Sequence, residues 1–268
     1  MFTPCCPSGI LFSEKHYPDI LPHLSSRHAA TDTEGFSRGL DWGLRLCVLI
    51  GVPAALGLIL CAGPLVATLF QYGRSGADDA RMSTWSLMAQ STAVPAILVV
   101  KVLATAFYSR QDTRTPVRAA VVSVLVNAAA TALLFAGLVF GTDAGRAALA
   151  ANGGSALRAL ASIQGAHALL ALAIAIAGWV NALQLAWLLR GSGTYRPQPG
   201  WATFLARIIS ATVLLALVVG GFRLLWPDWS DWAWWERGWR LAAMVGAGGL
   251  AYAGVLLASG LRPRDLRH

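Results

Sequence analysis

Long apolar runs separated by short polar segments constrain this chain more than any other feature. The runs cover residues 46–70, 86–108, 117–140, 166–189, 202–225 and 240–259. About twenty apolar residues in an α-helix span the hydrocarbon core of a bilayer. Because backbone polar groups inside lipid must bond within their own segment, each run is predicted to be a helix. The sequence therefore predicts an all-α, multi-pass transmembrane helical bundle of about six spans.

The composition is not that of a soluble domain. Hydrophobic residues make up 56% of the 268 residues and charged residues only 13%, whereas a soluble domain carries about 25% charged residues. The net charge of +8 does not indicate a nucleic-acid partner. The basic residues stand at the ends of apolar runs and form no patch interleaved with aromatic side chains. We therefore expect membrane lipids, not nucleic acid, as partners.

The sequence contains no motif of an enzyme or of a metal site. It has no phosphate-binding loop, no zinc-protease helix and no Gly-x-Ser-x-Gly elbow. Cys5 and Cys6 are adjacent near the start, while Cys47 and Cys61 lie in one apolar run, where cysteine behaves as a small hydrophobic residue. We therefore predict none of these enzyme activities, and neither a metal nor another cofactor.

Composition shifts divide the chain into four parts. Residues 1–18 contain no apolar core long enough for a signal peptide, and we predict a disordered leader. Residues 19–45 are polar and basic, which is typical of an amphipathic segment on the cytoplasmic surface. Residues 46–189 contain the first four apolar runs and are predicted to form four helices. Residues 190–268 are predicted to form a cytoplasmic loop and two additional helices.

The distribution of lysine and arginine predicts the orientation. The alternate segments that include the basic loop 109–116 carry the larger share of these residues. The positive-inside rule therefore places that loop and both termini in the cytoplasm. Loop 141–165, with a short surface helix from Ser155, is predicted to face outward, as is the tryptophan-rich segment after residue 225.

Several polar side chains fall inside the apolar runs, where they are costly and usually functional. Gln90 and Lys101 are eleven residues apart, about three helical turns, and so share a face. A second polar stripe repeats every four residues along the third run. The predicted cavity or head-group residues are Gln90, Lys101, Ser123, Asn127, Thr131 and Asn181. The alternatives are a snorkelling lysine and hydrogen bonds between helices.

The loop between the second and third runs carries four further candidates. Arg110, Asp112, Arg114 and Arg118 are predicted to form a cytoplasmic gate or head-group site, and the alternative is a positive-inside signal with local pairing. His167, in the fourth run, is interpreted as a packing or interface residue rather than a proton relay.

Lipid-interface residues are predicted near the last two runs. Arg207 lies just inside the fifth run, and Trp226 and Trp229 begin a tryptophan-rich segment that is typical of an interfacial belt. A sugar-binding platform is the alternative for these tryptophans.

Five stretches carry a resemblance to a known family. They are LDWGLRLCVLIGVPAALGL (40–58), GPLVATLFQYGR (63–74), KVLATAFYSRQDTRTPVR (101–118), WVNALQLAWLLR (179–190) and QPGWATFLARI (198–208). With them, residues 20–268 resemble the C-terminal half of the MurJ/MviN family of bacterial lipid II flippases. The family has a MATE-like fold of fourteen helices, arranged as two six-helix lobes plus two more. The chain resembles the last six, which implies that residues 46–189 are the four-helix part of the second lobe and that residues 190–268 hold the two additional helices.

The resemblance implies a function in cell-wall synthesis. Family members move an undecaprenyl diphosphate-linked peptidoglycan precursor across the bacterial inner membrane by alternating access. The diphosphate-binding arginines of the family lie largely on helices without a counterpart here, so we expect a truncated chain, inactive alone, or one that pairs with a missing N-terminal lobe. The alternatives are a flippase or exporter of another polyprenyl-linked saccharide or drug, and a non-transporting membrane remnant.

Overall fold

A computed structural model describes residues 33–70, 76–163, 165–227, 229 and 232–260. These residues form α-helices and no strand, which confirms the all-α prediction. The helices are α1 (Thr33–Phe70), α2 (Ala77–Ser91), α3 (Val94–Tyr108), α4 (Arg114–Gly141), α5 (Asp143–Ala151), α6 (Ala156–Ser162), α7 (Ala166–Gly191), α8 (Trp201–Leu225) and α9 (Trp234–Ala258). The predicted leader, residues 1–18, lies outside the described residues.

Six segments among the described residues are long and apolar enough to cross a membrane. They are Glu34–Phe70, Asp78–Tyr108, Arg114–Gly141, Ala166–Gly191, Trp201–Leu225 and Trp234–Ala258. Each corresponds to one predicted apolar run, so the number of spans is confirmed. The short helices α5 and α6 lie between the third and fourth spans, and only α6 was expected from the sequence.

The first span begins earlier than the hydropathy of the chain indicates. Residues 33–45, predicted as part of a surface segment, are continuous with the rest of α1. Phe36, Leu40 and Leu44 recur every four residues and are buried against α3 and α7. This stripe makes the polar segment helical, because packing of an amphipathic face stabilises a helix that its composition alone would not.

The second span is longer than predicted and is interrupted at its middle. It was expected as one helix over 86–108, but α2 and α3 are separated by Thr92 and Ala93. The N–H groups of these two residues donate to carbonyls three residues back, at Ala89 and Gln90. Pro95, in the first turn of α3, has no N–H for an α-helical bond. The proline therefore explains the break.

The spans pack as a row with α1 near its centre. In order they are α4, α7, the α2–α3 pair, α1, and the α8–α9 pair. α4 lies at one edge, where only 6% of its most apolar stretch is buried, against 33% for α1. Most of α4 is therefore open to lipid or to a partner.

The helix ends define two ends of the bundle. The Tyr252 hydroxyl donates to the carbonyl of Leu49 at 2.7 Å, and Arg237 donates to that of Ala67 at 3.0 Å, so α9 runs antiparallel to α1. We call the end where α1 begins and α9 finishes the proximal end, and the opposite one the distal end. Arg110 donates to Ser192, which brings the α3–α4 turn and the α7–α8 loop together at the proximal end.

Gly248 of α9 provides a test of the α8–α9 packing. A Cβ at this position would lie 2.8 Å from Cγ2 of the buried Val219, whereas a Cβ at Gly246 would have no neighbour within 4 Å. We expect Gly246→Ala to raise stability by up to about 1 kcal/mol, because alanine is the better helix former. We expect Gly248→Ala to lose that gain, since overpacking costs about 1–3 kcal/mol. Thermal unfolding in detergent measures both, and equal stabilisation would contradict this packing.

Candidate functional site

The break between α2 and α3 places backbone polar groups at the middle of a span. The carbonyl of Thr92 accepts the indole N–H of Trp179 on α7 at 3.0 Å. The break is also closely packed, because a Cβ at Gly51 of α1 would lie 3.1 Å from Cα of Pro95. A side chain of the neighbouring helix thus satisfies the carbonyl that the break frees. Membrane proteins tolerate interrupted helices under this condition, and transporters commonly bind substrate beside them.

Lys101 lies on the exposed face of α3, about 12 Å from the break at 1.5 Å per residue. It shares that face with Ile97 and Tyr108, which are 41% and 46% exposed, while Leu103 on the opposite face is fully buried. Gln90 is half-buried near the end of α2. Within the described part of the chain, Lys101 has no carboxylate partner.

The polar stripe of α4 faces α7. The Ser123 hydroxyl donates to the carbonyl of Ala177 at 2.8 Å. The two helices are antiparallel, so Asn127 and Asn181 lie about one turn from this contact in opposite directions, about 12 Å apart along the axis. The side-chain oxygens of both asparagines are buried and have no hydrogen-bond partner among the described residues. Thr131 is half-buried one turn further on. Ser123 therefore makes a bond between helices, and no hydrogen bond joins the stripe to Lys101 in the described residues.

Of the four candidates at the basic loop, Asp112 caps a helix, and Arg110, Arg114 and Arg118 are cations. Asp112 Oδ1 accepts the N–H groups of Arg114 and Thr115 at 3.1 and 3.0 Å, and Oδ2 accepts the Thr115 hydroxyl at 2.6 Å. The Thr115 hydroxyl, with these N–H groups, lowers the pKa of Asp112 below its usual value. Arg114 and Arg118 are exposed. Asp112 therefore stabilises the start of α4, while Arg110, Arg114 and Arg118 are the cations of this segment.

A buried carboxylate at the proximal end was not singled out from the sequence. Asp41 of α1 is 3% exposed. Its Oδ1 accepts the Tyr195 hydroxyl and the Trp201 indole N–H, each at 2.8 Å, and the Gln198 N–H at 3.3 Å. Its Oδ2 accepts Nε of Arg45 at 2.8 Å. This carboxylate therefore binds donors from α1, the α7–α8 loop and α8.

Arg45 extends the same cluster. Its guanidinium lies 5.4 Å from the ring centroid of Trp201 and 5.6 Å from that of Phe204, and donates to the carbonyl of Pro199 at 3.0 Å. Nearby, the buried Ser37 hydroxyl exchanges two hydrogen bonds with the backbone of Arg196, both 3.0 Å. We call Ser37, Asp41, Arg45, Tyr195 and Trp201 the proximal clamp. The spacing of Ser37, Asp41 and Arg45 by one turn each was the only sequence signal for it, since Tyr195 and Trp201 lie over 150 residues from Asp41.

The lipid-interface candidates occupy both ends of the last two spans. Arg207 is exposed on the proximal part of α8. Trp226 is half-buried and Trp229 is buried at the distal end, both packed against α8 and α9. His167 lines a distal cavity of about 530 Å³ between α1, α2 and α7, together with Asp79 and Ser83.

The proximal clamp can be tested by removing its carboxylate. Asp41→Ala removes a buried carboxylate that is the acceptor for the half-buried Arg45 and for several further donors, and breaking a buried pair costs about 3–5 kcal/mol. Asp143→Ala is the matched control, because Asp143 pairs with Arg146 while its side chain is 99% exposed. Such a surface pair contributes about 1 kcal/mol or less. Chemical denaturation in detergent measures both losses. A similar loss in the two variants would show that the clamp does not stabilise the bundle.

The cap at Asp112 predicts a pH dependence. The folded state lowers the pKa of this carboxyl below 3.8, so its stabilisation is complete above the unfolded pKa and disappears as pH falls through the folded pKa. At pH 7, Asp112→Ala is expected to cost about 1 kcal/mol, the usual loss for a helix cap. The difference in unfolding free energy between wild type and variant should vanish in strong acid. A difference that is constant with pH would contradict the capping role of the charge.

Comparison with known proteins gives the family. A family model described as lipid II flippase MurJ matches residues 11–233. The probable lipid II flippase MurJ of Vibrio cholerae is 31% identical over 258 residues, which cover 92% of this chain and 42% of that protein. The lipid II flippase MurJ of Burkholderia cenocepacia is 34% identical over 197 residues, which cover 74% of this chain and 33% of that protein. The chain thus spans less than half the length of these curated relatives. It belongs to the lipid II flippase MurJ family.

Proposed function

We propose that this chain takes part in translocating a lipid-linked peptidoglycan precursor across the bacterial inner membrane, for cell-wall synthesis. The observation that carries the proposal is the family match over most of the chain, together with six spans that make it a multi-pass membrane protein. Proteins that this chain resembles are named lipid II flippases. Such a protein breaks no covalent bond, and its task is to replace the hydration of a charged head group while the tail stays in lipid.

Lys101 is the residue that we propose for contact with the diphosphate. An ammonium group deep in a span is costly unless an anion or water lies against it. Lys101 stands on the open face of α3, without a carboxylate partner among the described residues, and α3 is one half of an interrupted span. We propose that Gln90, which precedes the break, contacts the uncharged part of the head group.

The polar stripe and the basic loop have separate proposed roles. Asn127 and Asn181 have buried acceptor oxygens that a sugar hydroxyl or a water molecule would satisfy after a small opening of the α4–α7 contact. We propose that Arg110, Arg114 and Arg118 form a cationic entrance on the cytoplasmic side. The orientation of both termini toward the cytoplasm is part of the same proposal.

A second lobe is the partner that the geometry favours. The α3 face that carries Lys101 is exposed, with Ile97 and Tyr108 beside it. A cavity for a head group needs walls on both sides of the lipid-linked substrate. We propose that helices outside the described bundle provide the other wall, and that substrate moves when the two lobes rock against each other.

Complementation tests the proposal. The chain is expressed in bacteria depleted of their own lipid II flippase, alone and together with the N-terminal part of the Burkholderia cenocepacia relative. We expect the combination to restore growth and outward movement of lipid II. Failure of both to restore either would contradict the proposed function.

Substitution of Lys101 tests the proposed contact. Lys101→Gln should lower lipid II translocation at least about tenfold, since a charge-assisted hydrogen bond contributes about 1.5–3 kcal/mol. Lys101→Arg should retain most of the activity, and Arg158→Gln, at an exposed cation on α6, should retain all of it. Equal activity of Lys101→Gln and Arg158→Gln would remove Lys101 from the site while leaving the proposed function intact.

A further inference from the structure

A cluster of tryptophans surrounds one arginine at the distal end of the last two spans. Trp226, Trp229 and Trp232 lie between α8 and α9, and Trp239 and Arg240 belong to the first turns of α9. We call these five residues the distal tryptophan cluster. The ring centroids of its packed Trp–Trp pairs, and of the pair that Trp226 forms with Phe222, are 5.0–6.4 Å apart. Each tryptophan therefore contacts at least one other ring of the cluster.

The guanidinium of Arg240 has its flat face covered by rings. It lies 3.5 Å from the ring centroid of Trp232, and 5.6 and 5.4 Å from those of Trp226 and Trp239. Contact with an aromatic face stabilises the cation electrostatically. Stacking uses the flat face, so the rings do not occupy the N–H groups, which lie in the guanidinium plane.

Three N–H donors of the cluster lack an acceptor in the described residues. Nε and Nη1 of Arg240 and Nε1 of Trp229 are buried and form no hydrogen bond. The neighbouring arginines differ, because Arg237 donates to the carbonyls of Trp232 and Ala67, and Arg223 donates to that of Leu60. A buried donor without an acceptor costs about 1–3 kcal/mol, and more if charged. The position therefore favours a ligand that supplies several acceptor oxygens.

The chemistry of the donors indicates a phosphate group. A guanidinium edge matches the spacing of two oxygens of a phosphate and binds them through parallel hydrogen bonds. No ion pair links Arg240 to a carboxylate in the described part of the chain. α8 ends at Leu225 and α9 starts at Trp234, so the cluster lies at the level where a membrane presents its lipid head groups.

We propose that the distal tryptophan cluster is a binding site for the phosphate group of a membrane lipid, held by the edge of Arg240 and the indole N–H of Trp229. The site lies on the last two spans, away from Lys101 and from the α4–α7 stripe. Its function is to fix a resident phospholipid against α8 and α9. The proposal goes beyond translocation and does not depend on it, because it concerns binding at equilibrium.

Native mass spectrometry of the purified chain tests the site. The chain, in a sugar-based detergent without phosphate, is titrated with dioleoyl phosphatidic acid, with dioleoylglycerol and with inorganic phosphate. We expect retention of the phosphatidic acid and not of the diacylglycerol. Competition by inorganic phosphate without retention of lipid would assign the same site to free phosphate. Equal retention of both lipids, with no effect of phosphate, would overturn the proposal.

Substitutions locate the binding. Arg240→Gln is expected to weaken phosphatidic acid binding about tenfold, since a charge-assisted hydrogen bond is lost. Trp229→Phe keeps a ring and removes one donor, so it should weaken binding about threefold, at the lower end for one neutral hydrogen bond. Arg158→Gln, at an exposed arginine of α6, is the matched control and should bind as wild type.

A lysine at the same position separates binding from folding. Arg240→Lys keeps the cation over Trp232 and loses the planar edge, so it should fold as wild type but bind phosphatidic acid severalfold more weakly. Circular dichroism and thermal unfolding check the fold of each variant. Unchanged binding in both Arg240→Lys and Arg240→Gln would show that the arginine serves only the packing of the tryptophans.

Discussion

The buried carboxylate of Asp41 is the interaction on which the arrangement of the spans depends. A carboxylate with almost no exposure loses its hydration, and only several well-placed donors offset that loss. The four donors that Asp41 has come from its own helix, from the α7–α8 loop and from α8. Because these donors belong to separate segments, one side chain joins α1 to the α7–α8 loop and to the start of α8.

At the distal end of α1, this helix supplies hydrogen-bond acceptors from its backbone instead of from a side chain. There the helix contributes carbonyl oxygens, and arginines of α8 and α9 donate to them, Arg223 to Leu60 and Arg237 to Ala67. Pro64 lies between these two positions and removes a backbone donor from α1. Arginines at a helix end thus take the place of bonds inside the helix. α1 is therefore fixed at both ends to the α8–α9 pair, once through a carboxylate and once through its own backbone.

Hydropathy predicted the six spans because their length and apolar content are local properties of the sequence. Hydropathy placed the start of the second span too late in the sequence. Polar residues such as Asp79 and Ser83 lower the hydropathy of α2, although this helix packs against α1 and α7. Hydropathy could not find the proximal clamp, because Tyr195 and Trp201 meet Asp41 only after the chain has folded back across four spans. The tryptophans after residue 225 were predicted as an interfacial belt, but the stacking of Arg240 on Trp232 depends on how α8 and α9 approach each other.

The exposed side chains along the row of helices are of two chemical kinds, aliphatic on α4 and charged on α3. The open side of α4 carries Val121, Leu125 and Leu133, which lipid tails cover without cost. The open face of α3 carries Lys101, about 10 Å before the end of the helix. A lysine stem covers part of that distance by snorkelling, and water or an anion must cover the rest. If Lys101 contacts the substrate as proposed, the α3 face lies toward an aqueous cavity and the aliphatic side of α4 lies toward lipid. The chemistry of the exposed side chains, rather than burial alone, then separates these two surfaces.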